Sequence, residues 1–309
     1  MPDCPDRPAQ DSLAFTPPLA PVPAHALLPA HALSPAHAAV HPAWRAQLTL
    51  AFTRDSDTTR LTRREHSGPL RVQKPLYPED PAICHAIVVH PPGGVVGGDE
   101  LAVDAHLNAG AHALLTSPGA AKWYRANGRV SRQRIALSVD AGAALEWLPQ
   151  ETIFFNDAHV ELDHHVTLAA DASYLGCEIL CLGRRASGEA FTKGRINQRT
   201  SVRRGGRLLW WEQGTLAADT IASPLGLNGH TVSAMLLAVG KPVAADTVAA
   251  LRALADHPCY GVTQMKHVLC VRWLGHDSEA ARELMLAAWR IVRPAVLGRA
   301  AIDLRSWRT

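Results

Sequence analysis

The feature that most constrains this chain is a strict two-residue alternation of apolar and polar side chains, repeated in short segments from Trp44 onward. Residues 47–54 place Leu48, Leu50 and Phe52 on one side, and residues 100–107 do the same with Leu101, Val103, Ala105 and Leu107. Residues 160–168 align Val160, Leu162, Val166 and Leu168, with His164 inside the same row. Successive side chains of a strand point to opposite faces, so this period marks half-buried strands. Similar runs occupy 70–74, 83–90, 132–139, 173–182, 195–203, 207–213 and 262–274, separated by Gly and Pro clusters that break regular structure.

Two stretches carry helical spacing instead. Residues 246–255 set Val248, Leu251 and Leu254 on one face. Residues 278–292 set Ala281, Leu284, Ala288, Ile291 and Val292 together, with Asp277 or Ser278 as N-cap and Pro294 just beyond the end. Many short strands and two late helices predict a mostly-β fold, a single large β domain over 44–309. Periodicity leaves a sandwich, a barrel and a β-solenoid all open.

Residues 1–43 differ in kind. They are rich in Pro and Ala, and Pro-Ala-His-Ala recurs with a period of six at His25, His31 and His37. Proline at this density blocks helices and ladders, so the segment is expected to be a disordered tail whose histidines bind a divalent metal at most weakly. The segment lacks a charged start followed by an apolar core, so it does not read as a secretory signal, and a cytoplasmic location is expected. No apolar stretch reaches the roughly 18 to 20 residues that a membrane-spanning helix needs. Six cysteines without a CxxC pair support neither a disulfide scaffold nor a zinc ribbon. Cys177 and Cys181 would share one strand face about 13 Å apart.

Four motifs bear on chemistry. In the run Pro91-Pro92-Gly93-Gly94-Val95-Val96-Gly97-Gly98-Asp99, the last glycine is followed by Asp99 and Glu100 rather than Lys and Ser/Thr. Those carboxylates repel phosphate and no helix follows, so the run is expected to be a turn and not a nucleotide loop. Residues 116–125 join a turn to Lys122, Trp123, Tyr124 and Arg125, a cationic and aromatic cluster suited to a partner-binding edge. Residues 145–157 and 175–182 embed Glu146, Glu151, Asp157 and Glu178 in apolar sequence. A buried carboxylate needs a cation or a pairing arginine, so these residues suggest an interior path for a metal, a glycosidase-type pair, or structural ion pairs. Finally, Arg195, Arg199 and Arg203 make one strand face basic, but without interleaved aromatics. With a net charge of only +3, that argues for a solvated or protein-docking face over nucleic acid.

Taken in order, the segments PPGGVVGGDE (91–100), TSPGAAKWYR (116–125), LEWLPQETIFFND (145–157) and LGRRASGEAFTKG (182–194) resemble the UreD (UreH) family of urease accessory proteins. The ending Arg305-Ser306-Trp307-Arg308-Thr309 is similar to that family's terminus, while Asp303 stands where proline is more usual. The resemblance implies a non-catalytic scaffold that joins apo-urease, UreF and the GTPase UreG and passes nickel to urease through an internal tunnel. It implies nickel in transit, with no tightly bound cofactor, nucleic acid or membrane. On that expectation Glu146, Glu151, Asp157 and Glu178 line the path, and Lys122–Arg125 with Arg184 and Arg185 meet partners. The alternative is a carbohydrate-active β hydrolase using two of the same carboxylates.

Overall fold

The computed structural model describes residues 42–304 and Trp307; the tail expectation for 1–43 falls almost entirely outside them. From Arg45 the chain builds two sheets by visiting each in turn. Strands β1 (Arg45–Asp55) and β2 (Thr58–Ser67) form a hairpin in the first sheet, and β3 (Arg71–Val72) and β4 (Ile83–Val89) begin the second. Then β5 (Glu100–Leu107) joins the first and β6 (His112–Thr116) the second. After the short β7 (Ala121–Trp123), β8 (Ser131–Val139) and β9 (Ala144–Leu148) repeat the step. After β10 (Thr152–Phe154), so do β11 (Ala158–Leu168) and β12 (Ser173–Leu182). β13 (Gly194–Arg204) returns to the first sheet.

Each newcomer lies parallel to its predecessor in the same sheet, which is the winding of a β-solenoid. The antiparallel strand β14 (Arg207–Ala217) ends the seven-stranded sheet, and the one-turn helix α1 (Ala218–Ile221) follows. The ten-stranded sheet continues antiparallel through β15 (Val232–Val239), β17 (Val268–Gly275) and β16 (Tyr260–Met265). Helices α2 (Ala245–Arg252) and α3 (Ser278–Leu297) pack on the outer face of that sheet.

Because every coil keeps the same register, inward side chains stack in rows across the seven-stranded sheet. One row runs Leu50, Ala105, Leu137, Val166, Val202, all apolar and buried. Two rows nearer one end turn polar: Leu48, Val103, Ile135, His164, Thr200, and Ala46, Leu101, Gln133, Leu162, Gln198. Outward positions carry opposing charges, in register for Arg132–Glu161 (2.7 Å) and Arg199–Asp163 (2.7 Å) and diagonally for Arg134–Asp104 (2.9 Å). On the basic face of β13 Arg199 is thus paired with a carboxylate, and each such exposed pair contributes roughly 1 kcal/mol or less.

Three local readings need correction. Residues 262–274 are not one strand but a hairpin of β16 and β17, turning at Lys266 with φ 49°; alternation continues through the turn and hides it. Pro294 lies inside α3, which runs on to Leu297 before the left-handed Gly298 (φ 65°) ends it. Asp277 does cap the helix, accepting from the N–H groups of Glu279 (2.8 Å) and Ala280 (3.2 Å). Strands β2, β6, β9 and β15 escaped the period count, β6, β9 and β15 being mostly or wholly buried apolar runs and β2 largely polar and exposed.

Candidate functional site: the cavity between the sheets

The two faces of the ten-stranded sheet separate the candidate carboxylates. In β9, Leu145 and Trp147 point into the space between the sheets, so Glu146 points to the helix side. There it is fully buried and accepts from the Trp289 indole N–H (2.8 Å) and from Arg293 Nε and Nη2 (3.0–3.1 Å), with His112 Nε2 at 2.9 Å. Arg293 also grips Glu79, whose other contact is His85 at 2.7 Å. Burial pushes the Glu146 carboxyl up, but hydrogen bonds and charge from His112 and Arg293 outweigh it, so the group sits below its ordinary range. Burial opposes ionisation of Glu79 too, yet His85 and Arg293 bring it down to about 2. Glu151 is likewise engaged by Arg282 of α3 at 2.6 Å. Both of these predicted path residues are occupied in fastening α3 to the sheet.

Glu178 faces the other way. In β12, Tyr174, Glu178 and Leu180 point between the sheets while Cys177 and Cys181 face α3 as free, buried thiols. Gln198 from the opposing sheet donates to Glu178 at 2.5 Å. Removal from water raises the Glu178 carboxyl to about 7, with the charge of Glu212 adding to it and the Gln198 hydrogen bond and Arg272 opposing. Glu178 borders a cavity of ≈ 280 Å³ that also meets His90, His164, Gln133 and Trp123. His164 is held neutral, its pKa lowered to about 4 by burial and then by His165. Burial lowers His90 as well, against the pull of Asp99. The ring nitrogens His90 Nε2 and Trp123 Nε1 are buried without a hydrogen-bond partner. Neutral imidazoles and a carboxyl near neutrality form a string of weak donors, and among the described residues no three His, Cys, Asp or Glu groups stand close enough for a closed metal cage.

The glycine run walls one end of this cavity. It carries β4 over to β5 and adds backbone pairs to the 116–125 segment: Val95 N–H to Lys122 O and Tyr124 N–H to Val95 O, both 2.8 Å. Asp99 is buried and accepts from the N–H groups of Trp44 (2.9 Å) and Val96 (3.0 Å), so its charge holds the turn rather than meeting a ligand. Trp123, expected at a partner edge, is instead buried and stacked on Phe154 with centroids 6.4 Å apart, because Trp123 and Phe154 fall in register in the parallel β7–β10 pair. Lys122, Tyr124, Arg184 and Arg185 do come together, around a surface hollow beside Phe155 and His276. Asp157 adopts φ 66° in the β10–β11 turn and lies 3.9 Å from Arg125, away from Glu178's cavity.

The model of the family described as UreD urease accessory protein matches residues 45–308. The chain belongs to the UreD family of urease accessory proteins. It is 60% identical over 271 residues to "Urease accessory protein UreD" of Janthinobacterium sp. (strain Marseille), covering 86% of this chain and 92% of that one. It is 50% identical to the protein of the same name from Nitrosospira multiformis, covering 86% and 98%, and 46% identical to that from Dechloromonas aromatica, covering 87% and 96%. A UreD-family chain is an accessory factor in urease maturation and not an enzyme. The placement of Glu146 and Glu178 on opposite faces of one sheet agrees, since a glycosidase pair must flank a single bond. The residues that sequence reasoning missed in this UreD-family cavity are His90, Gln133 and Gln198, which look like ordinary strand positions until the coils are stacked. Among the described residues no helix is long and apolar enough to cross a membrane.

Proposed function

We propose that this UreD-family protein works in the cytoplasm as a scaffold that binds apo-urease together with UreF and the GTPase UreG, and that nickel bound for urease passes through the space between its two sheets. The observation that carries this reading is the cavity bordered by Glu178, His164 and His90, a set of weak, successive donors suited to transit and unsuited to storage. Nickel is cargo here, not a resident cofactor. Glu178 is the carboxylate assigned to the path. Binding a cation there displaces the proton that burial keeps on it near neutral pH, which ties loading to proton release.

Glu178→Ala should lower the nickel content of urease at limiting nickel while the accessory complex still co-purifies. Full activation by that variant would sink the path. Glu178→Gln supplies an independent check on its ionisation. A carboxyl raised from 4.5 to about 7 gives the folded state more bound protons than the unfolded state in that window. Glu178's contribution to stability therefore falls as pH rises from 4.5 to 7, and the Gln variant should lose that component of the parent's slope in urea titrations.

The hollow with Lys122, Tyr124, Arg184 and Arg185 is the docking surface we assign to a partner protein. Arg184 lies 4.3 Å over the Phe155 ring and pairs with Glu189 at 2.9 Å, whereas Arg185, among the described residues, bonds the uncharged side chains of Thr231 and His276. Reversing Lys122 and Arg185 to Glu together should weaken pull-down of one partner at least tenfold; undiminished capture of UreF, UreG and urease would reject the surface.

A further inference from the structure

Away from the inter-sheet cavity, three strand ends of the ten-stranded sheet bring metal-ligating side chains to one patch. The antiparallel order β16-β17-β15 sets the start of β15, the start of β16 and the end of β17 side by side. His230 precedes β15, Cys259 precedes β16 and His276 follows β17. Across that edge His230 Nε2 stands 3.9 Å from Cys259 Sγ.

The His230 ring is oriented from behind. Its Nδ1 lies 2.9 Å from the carbonyl oxygen of Leu227, an acceptor only, so Nδ1 carries the proton and Nε2 presents its lone pair to the thiol. Fixing the far nitrogen of an imidazole on a backbone carbonyl is how proteins prepare a histidine to ligate a metal. A metal held about 2.0–2.1 Å from imidazole nitrogen and about 2.3 Å from thiolate sets the two donors about 3.6 Å apart at a tetrahedral angle. The observed separation needs only a small contraction. Both residues are partly exposed.

Among the described residues no third His, Cys, Asp or Glu completes a metal-holding group here, so the site has two protein donors. His276 stacks on His230 with centroids 5.1 Å apart, but its Nδ1 accepts from the Arg185 guanidinium at 2.8 Å. His257 Nδ1 accepts the Cys259 N–H at 3.1 Å. Neither of those nitrogens is free for an ion, and the Arg185 charge one residue beyond weakens cation binding. An ion here keeps open positions, filled by water or by another molecule's ligand.

We infer that Cys259 and His230 form a second, surface metal site for a thiophilic divalent ion of the nickel or zinc class, where such an ion is held loosely and exchanged. That the ion is urease-bound nickel rests on the reading above; the site itself does not.

Cys259 can be observed selectively. Burial pushes the thiols of Cys177 and Cys181 to about 12 and Cys84 to about 11, and raises Cys270 as well, so these stay protonated. In the full-length chain carrying Cys4→Ser, titration with Ni²⁺ alone should produce a thiolate-to-nickel charge-transfer band saturating at micromolar metal. Cys259→Ser should abolish the band, and His230→Gln should raise the concentration needed at least tenfold, with melting temperatures of both variants unchanged. A band that persists in Cys259→Ser, that ignores His230, or that appears only at millimolar nickel overturns the site. Glu178→Ala should leave the band intact, so loss of this site and failure of the interior path give different results.

Discussion

Arg293→Met should destabilise the protein by about 3–5 kcal/mol, among the largest single effects available in this chain. The guanidinium is fully buried and is shared between Glu146 and Glu79, whose carboxyls it keeps charged together with His112 and His85. Removing it leaves two carboxylates in a dry site with no cationic partner beyond His85 and His112, and with the neutral Trp289 N–H still bonded to Glu146. The effect comes from the stranded charges and not from the value of the pairs, so it should be reversible by chemistry. Adding Glu146→Gln and Glu79→Gln to Arg293→Met should recover much of the loss, as measured by urea midpoints at constant slope. If the triple variant is no more stable than the single one, stranded charge is not the cause. The same network predicts acid sensitivity. Glu79 is lowered from 4.5 to about 2, so its contribution is complete above 4.5 and is lost as pH falls toward 2.

This network also shows what sequence could not say about the candidate carboxylates. Glu146, Glu151 and Glu178 look alike in sequence, each a carboxylate among apolar neighbours. For Glu146 and Glu178 parity within the strand decides: Glu146 shares a face with Leu148, against α3, while Glu178 shares a face with Tyr174, against the opposite sheet. The partner of Glu146 lies 147 positions away in the chain, and no local pattern encodes that distance. The alternation of β1, β5 and β11 was readable because one of their faces meets solvent. β9 and β15 have both faces covered, one by the other sheet and one by α3, so they show no alternation. The solenoid winding was unreadable for a related reason: parallel pairing joins strands from successive coils, and periodicity records only which face a residue takes. His164 shows the limit from the other side. It sits visibly in an apolar row, but only stacking on Thr200 and Ile135 reveals that the row borders a cavity.

The glycine run gives the second large prediction, because its glycines do different jobs. Gly93 has φ 77° and open space around the position of a Cβ, so Gly93→Ala meets only backbone strain, about 1–2 kcal/mol. Gly97 is the reverse case. A Cβ there would lie 1.7 Å from the carbonyl oxygen of Ala126 and 2.5 Å from its carbon, backbone atoms of the turn between β7 and β8. That turn is itself tied down, with Ala126 N–H donating to Asp157 O at 2.9 Å, so it cannot yield cheaply. Gly97→Ala should therefore cost about 3 kcal/mol or more, at the upper end of overpacking effects. Gly94 falls between them, since its Cβ would meet the Tyr124 ring at 2.3 Å and a side chain can swing aside. Denaturation of the three alanine variants should rank Gly97 worst, then Gly94, then Gly93. The rank tests whether this crossover is packed against its neighbour coil, as the Val95 pairing with Lys122 and Tyr124 requires. A Gly97 variant as mild as the Gly93 variant would mean the two crossovers do not touch, and the wall they give Glu178's cavity would have to be redrawn.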